Sequence, residues 1–265
     1  MSTNISITHD LHQHSITSFC CSDKEMIPQR LLSNAVENGY DTICITDHVW
    51  DALVPGASKW YSEQPIEHVC QSLPLPSAEG IRFCFGCETE YCGGEKLGLA
   101  RSSFSLFDFV VIPINHFHML DFVRPSSINT AILVADLLLT RLEELQQLDL
   151  PWEKIGIAHL TSRLAFREGN VADVYDYMPE DRLLQIFGFF AQYGTGIELN
   201  ACSFRPGWEE RFNSLMRPYS LAKQAGCKFY FASDAHKVSE LSMMNLLHPA
   251  INALDLRAED LYRIP

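Results

Sequence analysis

The sequence predicts an α/β fold whose parallel strands close, or nearly close, into a barrel. Seven short runs rich in β-branched or aromatic residues alternate with amphipathic stretches. Strand followed by helix, repeated, gives parallel strands joined by right-handed crossovers. The runs are apolar enough to be buried on both faces. Histidines and carboxylates stand at the ends of the runs, the rim on which such barrels carry out chemistry.

The first strand is expected at residues 5–11, followed at once by His12-Gln13-His14. A helix over 28–38, ending at Gly39, leads to a second strand at 42–46 and the pair Asp47-His48. The third strand, 81–87, ends on Glu88, and the fourth, 107–114, precedes His116. A helix over 127–148 then leads to a strand at 154–158 and His159. A helix over 179–192, ending near Gly194, precedes a strand at 196–199. The last helix, 210–224, ends at Gly226, and the last strand, 228–232, runs into Asp234-Ala235-His236. Glycine just past a helix fits the left-handed cap such ends use. Residues 54–80, rich in Pro and Ser, form the least regular part and are expected to pass over the mouth of the site. Without a low-complexity linker, residues 1–265 read as one domain.

Composition narrows the function. A formal charge of −13 argues against extended nucleic-acid binding, which needs a positive surface. Bound metal would neutralise part of that charge, so a small anionic substrate stays open. The N-terminus shows no signal-peptide pattern, and the apolar runs are too short to span a bilayer. Nine cysteines without framework spacing read as reduced thiols in a cytoplasm. Cys84-Phe85-Gly86-Cys87 is a CxxC inside a strand, with no second pair nearby, and reads as core.

The chemistry lies in the rim residues. His12 and His14, two apart on an extended chain, point to one face, and Asp234 and His236 repeat that spacing. In a closed barrel the first and last strands are neighbours, so the two pairs meet. Imidazole and carboxylate together hold zinc, manganese or iron. Glu88 is placed to bridge two cations, with Glu90 as its rival; His118 similarly rivals His116. His9, His68 and His248 read as surface or packing residues.

The order Asp10-Leu11-His12-Gln13-His14-Ser15, Ile45-Thr46-Asp47-His48, Gly86-Cys87-Glu88, His116, Ala158-His159 and Ser233-Asp234-Ala235-His236 resembles the PHP superfamily, the polymerase and histidinol phosphatase domains. Chain length and Gly196-Ile197-Glu198-Leu199-Asn200 followed by Arg205 look most like the histidinol-phosphatase branch. The resemblance implies a distorted (β/α)7 TIM-like barrel with two or three divalent metal ions at the C-terminal ends of its strands. It would place His12, His14, Glu88 and Asp234 on one metal, with Glu88 bridging to a second held by His116 and His159. A third would take His48, His236 and a residue of the loop after His14. That loop departs from the family pattern: Asp23 is the first choice, with Cys20 or Cys21 as substitutes.

The reaction implied is hydrolysis of a small phosphomonoester by a metal-bridging hydroxide, since metal binding lowers the pKa of water to about 7 at zinc. Histidinol phosphate is the first substrate to consider by branch. Arg163 and Arg205, on loops that follow strands, are candidates for the phosphate oxygens, with Arg101 a third, each otherwise an ordinary surface ion pair. Asp234 or His236 would protonate the leaving group. Glu198 would support the ligands or the substrate, or cap a neighbouring loop. Trp60, Tyr61 and His68 would shape the leaving-group pocket or pack the loop down. Two other readings compete: an amidohydrolase-type C–N hydrolase, and a non-catalytic domain of this family that binds metal or phosphate. The amidohydrolase pattern fits fewer positions, because here the fourth strand ends in His116 and the sixth in Glu198 and Asn200.

Overall fold

Seven parallel strands pair in chain order around a nearly closed barrel in a computed structural model describing residues 5–265. Residues 1–4 of the expected domain, and of the N-terminus read for a signal peptide, lie outside the described residues. The strands are β1 (His9–Gln13), β2 (Thr42–Ile45), β3 (Arg82–Thr89), β4 (Phe109–Pro113), β5 (Ile155–Ala158), β6 (Gly196–Asn200) and β7 (Lys228–Ala232). Beyond β2 a short strand, His48–Val49, pairs with the upper end of β3 and sets His48 opposite Glu88. A small hairpin, Tyr91–Gly93 with Lys96–Leu97, follows β3.

The main helices are α1 (Pro28–Asn38), α2 (Ala131–Leu145), α3 (Val171–Asp176), α4 (Glu180–Gln192) and α5 (Phe212–Gln224). α1 ends as its sequence demands: Gly39, at φ 68°, returns its N–H to the carbonyls of Ala35 and Val36. Residues 54–80 contain two short helices, Lys59–Ser62 and Ile66–Val69. Among the described residues no helix is long and apolar enough to cross a membrane.

Element boundaries shift by up to four residues from the sequence reading, and the shift at the first strand bears on the site. The first strand is His9–Gln13, not 5–11. Ile5 and Ile7 supply the apolar alternation that mimics a strand, yet they pack half-buried against the outer core. Pairing with β2 begins only at His9, opposite Thr42. The shift carries His12 onto the strand itself.

β1 meets β7 through a seam made partly of side chains. Phe231 N–H donates to His9 Nε2 at 3.0 Å, and Ser233 N–H donates to Asp10 Oδ1 at 2.9 Å. The His9 ring also stacks on Phe231, with centroids 4.9 Å apart. Backbone pairing resumes above, from Asp234 N–H to His12 O (2.9 Å) and from His14 N–H to Ala235 O (3.1 Å).

Inside the barrel, Leu11, Cys44, Cys84, Phe109, Ala158 and Tyr230 form one apolar cluster, plugged from the C-terminal tail by Tyr262 and Ile264. Gly156 is required there, because a side chain would strike the Phe109 ring and the Tyr230 hydroxyl. The larger apolar layer lies between strands and helices. Cys84 belongs to the inner cluster and Cys87 to the outer, as alternation along a strand requires. All nine cysteines are free.

Asp10, fully buried, accepts from Ser233 N–H and, at 2.6 Å, from Gln13 Nε2. Truncation by Asp10→Ala deprives Ser233 N–H and Gln13 Nε2, and the longer 3.4 Å contact from His12 N–H, of their acceptor, and is expected to cost about 2–4 kcal/mol of unfolding free energy in urea titrations of metal-free protein. Asp10→Asn should cost less than about 1 kcal/mol, because the buried, unpartnered Gln13 Oε1 can accept from the new amide after a side-chain flip. An equal loss in both variants would mean the charge, not the acceptor, holds the seam.

Candidate metal centre

Eight side chains converge at the C-terminal rim: His12, His14, His48, Glu88, His116, His159, Asp234 and His236. Two of them leave their strands through left-handed backbone, His159 at φ 64° and Asp234 at φ 53°. That region is uncommon for residues other than glycine and concentrates at functional sites.

Glu88 sits in the middle, 1% exposed. Its Oε2 lies 3.1 Å from His48 Nδ1, 3.4 Å from His14 Nε2 and 3.5 Å from His12 Nε2. Its Oε1 faces the other way, 3.5 Å from His159 Nε2 and 3.8 Å from His116 Nε2. Asp234 closes the ring: Oδ1 is 3.3 Å from His14 Nε2 and Oδ2 is 3.5 Å from His159 Nε2. Donor atoms about 2 Å from a common tetrahedral ion stand roughly 3.3 Å from each other, so the spacing suits shared cations. Glu88 Oε1 and both His159 nitrogens are buried without a hydrogen-bond partner. Such orphans are costly unless a ligand satisfies them. The donor set therefore fits divalent metal ions.

Four ligand groups can be drawn with their atoms within 4.8 Å of one another: His12, His14 and Glu88; His12, His159 and Asp234; Glu88, His116 and His159; and His14, Cys20, His48 and His236.

A layer behind the ligands fixes which ring nitrogen faces inward. His12 Nδ1–H donates to Glu198 Oε1 at 2.6 Å, leaving Nε2 free. His116 Nδ1 is held by Glu90 Oε1, which also accepts from the Tyr61 hydroxyl at 2.8 Å. His236 Nδ1–H donates to the Asp234 carbonyl at 2.9 Å. Ser18 gives its only hydroxyl proton to Asp47 Oδ1 (2.8 Å), so its oxygen accepts from His14 Nδ1–H at 3.2 Å. Glu198 Oε2 accepts the His159 backbone N–H at 2.7 Å, and Asn200 Nδ2 ties Glu198 to Asp234. His12, His14 and His116 thus present Nε2 to Glu88, as metal-binding histidines do when the other nitrogen is anchored.

Electrostatics point the same way. Burial pushes the Glu88 carboxyl up, but the imidazoles of His48 and His12 outweigh it and hold it well below the usual range. Burial likewise opposes ionisation of Asp234, and His12 and His159 overcome it. On His12, burial lowers the pKa, yet Glu88, Glu198 and Asp234 raise it well above the ordinary value. His159 is raised to about 9 against its own burial, chiefly by Asp234.

Over the cluster lies a cavity of about 490 Å³. Trp60, Met119, Phe122 and Leu164 give it an apolar wall, with His118 and Arg167 adding polar groups. Of the rival pairs, Glu90 stands behind His116, and His118 stands on the wall.

The structure places several of the sequence candidates away from the cluster. Asp23 is outside the cluster: its carboxylate accepts the backbone N–H groups of Val238 and Glu25, both at 3.0 Å, and Cys20 takes the loop's place beside the imidazoles. Cys21 also points away, donating to His236 O at 2.9 Å. Arg163 and Arg205 line a second cavity, and Arg205 pairs with Glu240. Exposed Arg101 lies 3.9 Å from Asp149. His68 bonds Thr17 O at 2.8 Å and packs its loop rather than lining the cavity. Sequence reasoning missed Arg167, whose only signal is its place nine residues beyond Ala158, and the buried Arg124, which pairs with Glu168.

A family model described as PHP domain matches residues 10–202. Curated protein sequences give no significant match. Among solved structures, the fold is similar to a histidinol phosphate phosphatase from Lactococcus lactis subsp. lactis solved with zinc, L-histidinol and phosphate. The TM-score is 0.58 at 17% identity, covering 96% of this chain and 95% of that one. It is also similar to a candidate histidinol phosphatase from Listeria monocytogenes, at TM-score 0.55 and 16% identity, covering 88% of this chain and 96% of that one.

Because His12 and His159 hold protons in the metal-free cluster, cations must displace them. Near neutral pH, metal uptake is expected to release protons and to strengthen as pH rises toward about 9, where His159 gives up its proton unaided. Calorimetry in buffers of different ionisation enthalpy reads this directly. Uptake without proton release would mean those imidazoles are not ligands.

Proposed function

The chain belongs to the PHP domain family of metal-dependent phosphoesterases, and on that premise we propose that it hydrolyses a small phosphomonoester whose alcohol part carries a ring. One observation carries this reading: the buried Glu88 carboxylate, shared among imidazoles on both sides, lies under a cavity walled by Trp60 and Phe122. Histidinol phosphate is the first substrate to test, supported by the likeness to the lactococcal enzyme solved with L-histidinol and phosphate. The nine free thiols favour the reducing compartment, a cytoplasm, that the sequence suggests.

His12, His14, Glu88 and Asp234 would hold one cation, with His116 and His159 holding another across Glu88; zinc, manganese and iron all suit these donors. Such ions supply Lewis acidity and bring the pKa of water to about 7 at zinc sites, which is how a hydroxide nucleophile becomes available near neutrality. The protein does the rest. Glu198, Glu90 and Ser18 fix ligand orientation, so little rearrangement is needed at the moment of reaction. Arg167, exposed at the cavity edge, suits anionic oxygens. Trp60 and Phe122 exclude water and pack against the ring of the leaving group. Asp234 and His236, both lining the cavity, are the groups that would relay a proton to the leaving oxygen.

Phosphate release by metal-reconstituted protein, measured on L-histidinol phosphate beside other small phosphomonoesters, tests the proposal. Turnover of ring-bearing esters above the rest is expected, and no release from any ester would overturn it. Asp234→Asn should keep the fold by circular dichroism yet lose at least about a hundredfold in kcat. Arg167→Ala should raise KM about tenfold, or about 1.4 kcal/mol, with a smaller change in kcat. An unchanged KM would remove Arg167 from the substrate.

A further inference from the structure

Cys20 brings sulfur to a centre otherwise made of imidazole and carboxylate, and we propose that it is a metal ligand that makes one site selective for zinc over manganese. Its Sγ and ring nitrogens of His14, His48 and His236 lie within 4.8 Å of one another. The rings are brought together by packing, His14 being 4.7 Å from His48 and 4.3 Å from His236 between centroids. His14 Nε2 is also the atom facing Glu88 and Asp234. If it serves there, only His48 and His236 remain for this site, and a zinc site normally has three or four protein ligands. Cys20 makes the third.

The loop is constructed to present this sulfur. Asp47 accepts Ser15 N–H at 2.7 Å, Ser15 Oγ at 2.6 Å and Ser18 Oγ at 2.8 Å, clamping the turn from below. Ser18 N–H donates to Ser15 O at 3.0 Å and Cys21 N–H to Ser18 O at 2.9 Å, while Phe19 N–H donates to Gln64 Oε1 at 2.9 Å. With Cys21 turned to the His236 carbonyl, Cys20 is the thiol left facing the imidazoles.

The chemistry balances simply: the thiol S–H bond breaks, its proton goes to solvent, and sulfur forms a bond to the incoming cation. Thiolate is a soft ligand that suits zinc, whereas manganese favours carboxylate, carbonyl and water oxygen. The site would therefore discriminate between metals that the all-nitrogen-and-oxygen sites accept alike.

This inference rests on the phosphoesterase reading only for the presence of metal, and its test does not use turnover. Metal-free protein is loaded with cobalt(II), a spectroscopic stand-in for zinc. The wild type should show a near-ultraviolet sulfur-to-cobalt charge-transfer band. Cys20→Ser should lose the band and bind one equivalent fewer, while Cys21→Ser keeps both. Cys20→Asp should recover the equivalent without the band and reduce the zinc-over-manganese preference at that site by about tenfold or more. A fully loaded wild type without the band, or a Cys20→Ser protein with unchanged spectrum and stoichiometry, would overturn the assignment. Protein that shows the band yet hydrolyses no phosphoester would sink the functional reading and leave this one standing.

Discussion

Closing β1 against β7 is the constraint on which the site depends. His12 and His14 come from one end of the sheet order and Asp234 and His236 from the other. They meet only because the seam holds, through Asp234 N–H to His12 O and His14 N–H to Ala235 O directly beneath the ligands. Lower down, His9 and Asp10 accept the backbone N–H groups of Phe231 and Ser233. Side-chain acceptors let the strands separate slightly without leaving buried donors unpaired. A seam of this kind sets the distance between β1 and β7, and so the spacing of the first and last ligands.

Charge is the second organising quantity. Part of the chain's acidity lies inside, where it surrounds the site: Asp10, Asp47, Glu88, Glu90, Glu198 and Asp234 are all buried. Each one accepts from a donor or faces an imidazole, which is the condition for burying a carboxylate at all. Glu88 and Asp234 face the ligands; Glu90 and Glu198 hold the far nitrogens of His116 and His12. The inner acids attract cations and the outer ones aim the imidazoles. A net charge of −13 therefore does not conflict with an anionic substrate.

What the sequence disclosed, and what it hid, follows from range. β7 is legible to the residue because Lys228–Ala232 is a short apolar run bounded by a helix cap and the Asp234 motif. The two-apart ligand pairs are legible because the pleat fixes their facing. The start of β1 is not legible, because Ile5 and Ile7 alternate like a strand while serving the outer core. Choosing Asp23 over Cys20 turned on a tight turn clamped by Asp47, 29 residues from Ser18. Placing Arg167 rather than Arg163 at the cavity turns on the path of the loop after β5. That path is pinned by Arg124, 2% exposed, through its ion pair to Glu168, and no local pattern announces a contact 44 residues apart.

The same long-range ties couple the cavity wall to the histidine cluster. Trp60 is followed by Tyr61, fully buried, whose hydroxyl donates to the Glu90 oxygen that also holds His116. Tyr61 also packs on Phe122, with centroids 6.0 Å apart, and Phe122 lies two residues before Arg124. From there the Arg124–Glu168 pair reaches the residue next to Arg167. Wall, ligand and edge cation thus form one connected network instead of three independent loops. Specificity for the leaving group would then come from a preorganised cavity, because moving Trp60 would pull on the group that orients His116. Residues far from the reacting atoms, Tyr61 and Arg124 above all, would set both the shape of the pocket and the aim of a ligand.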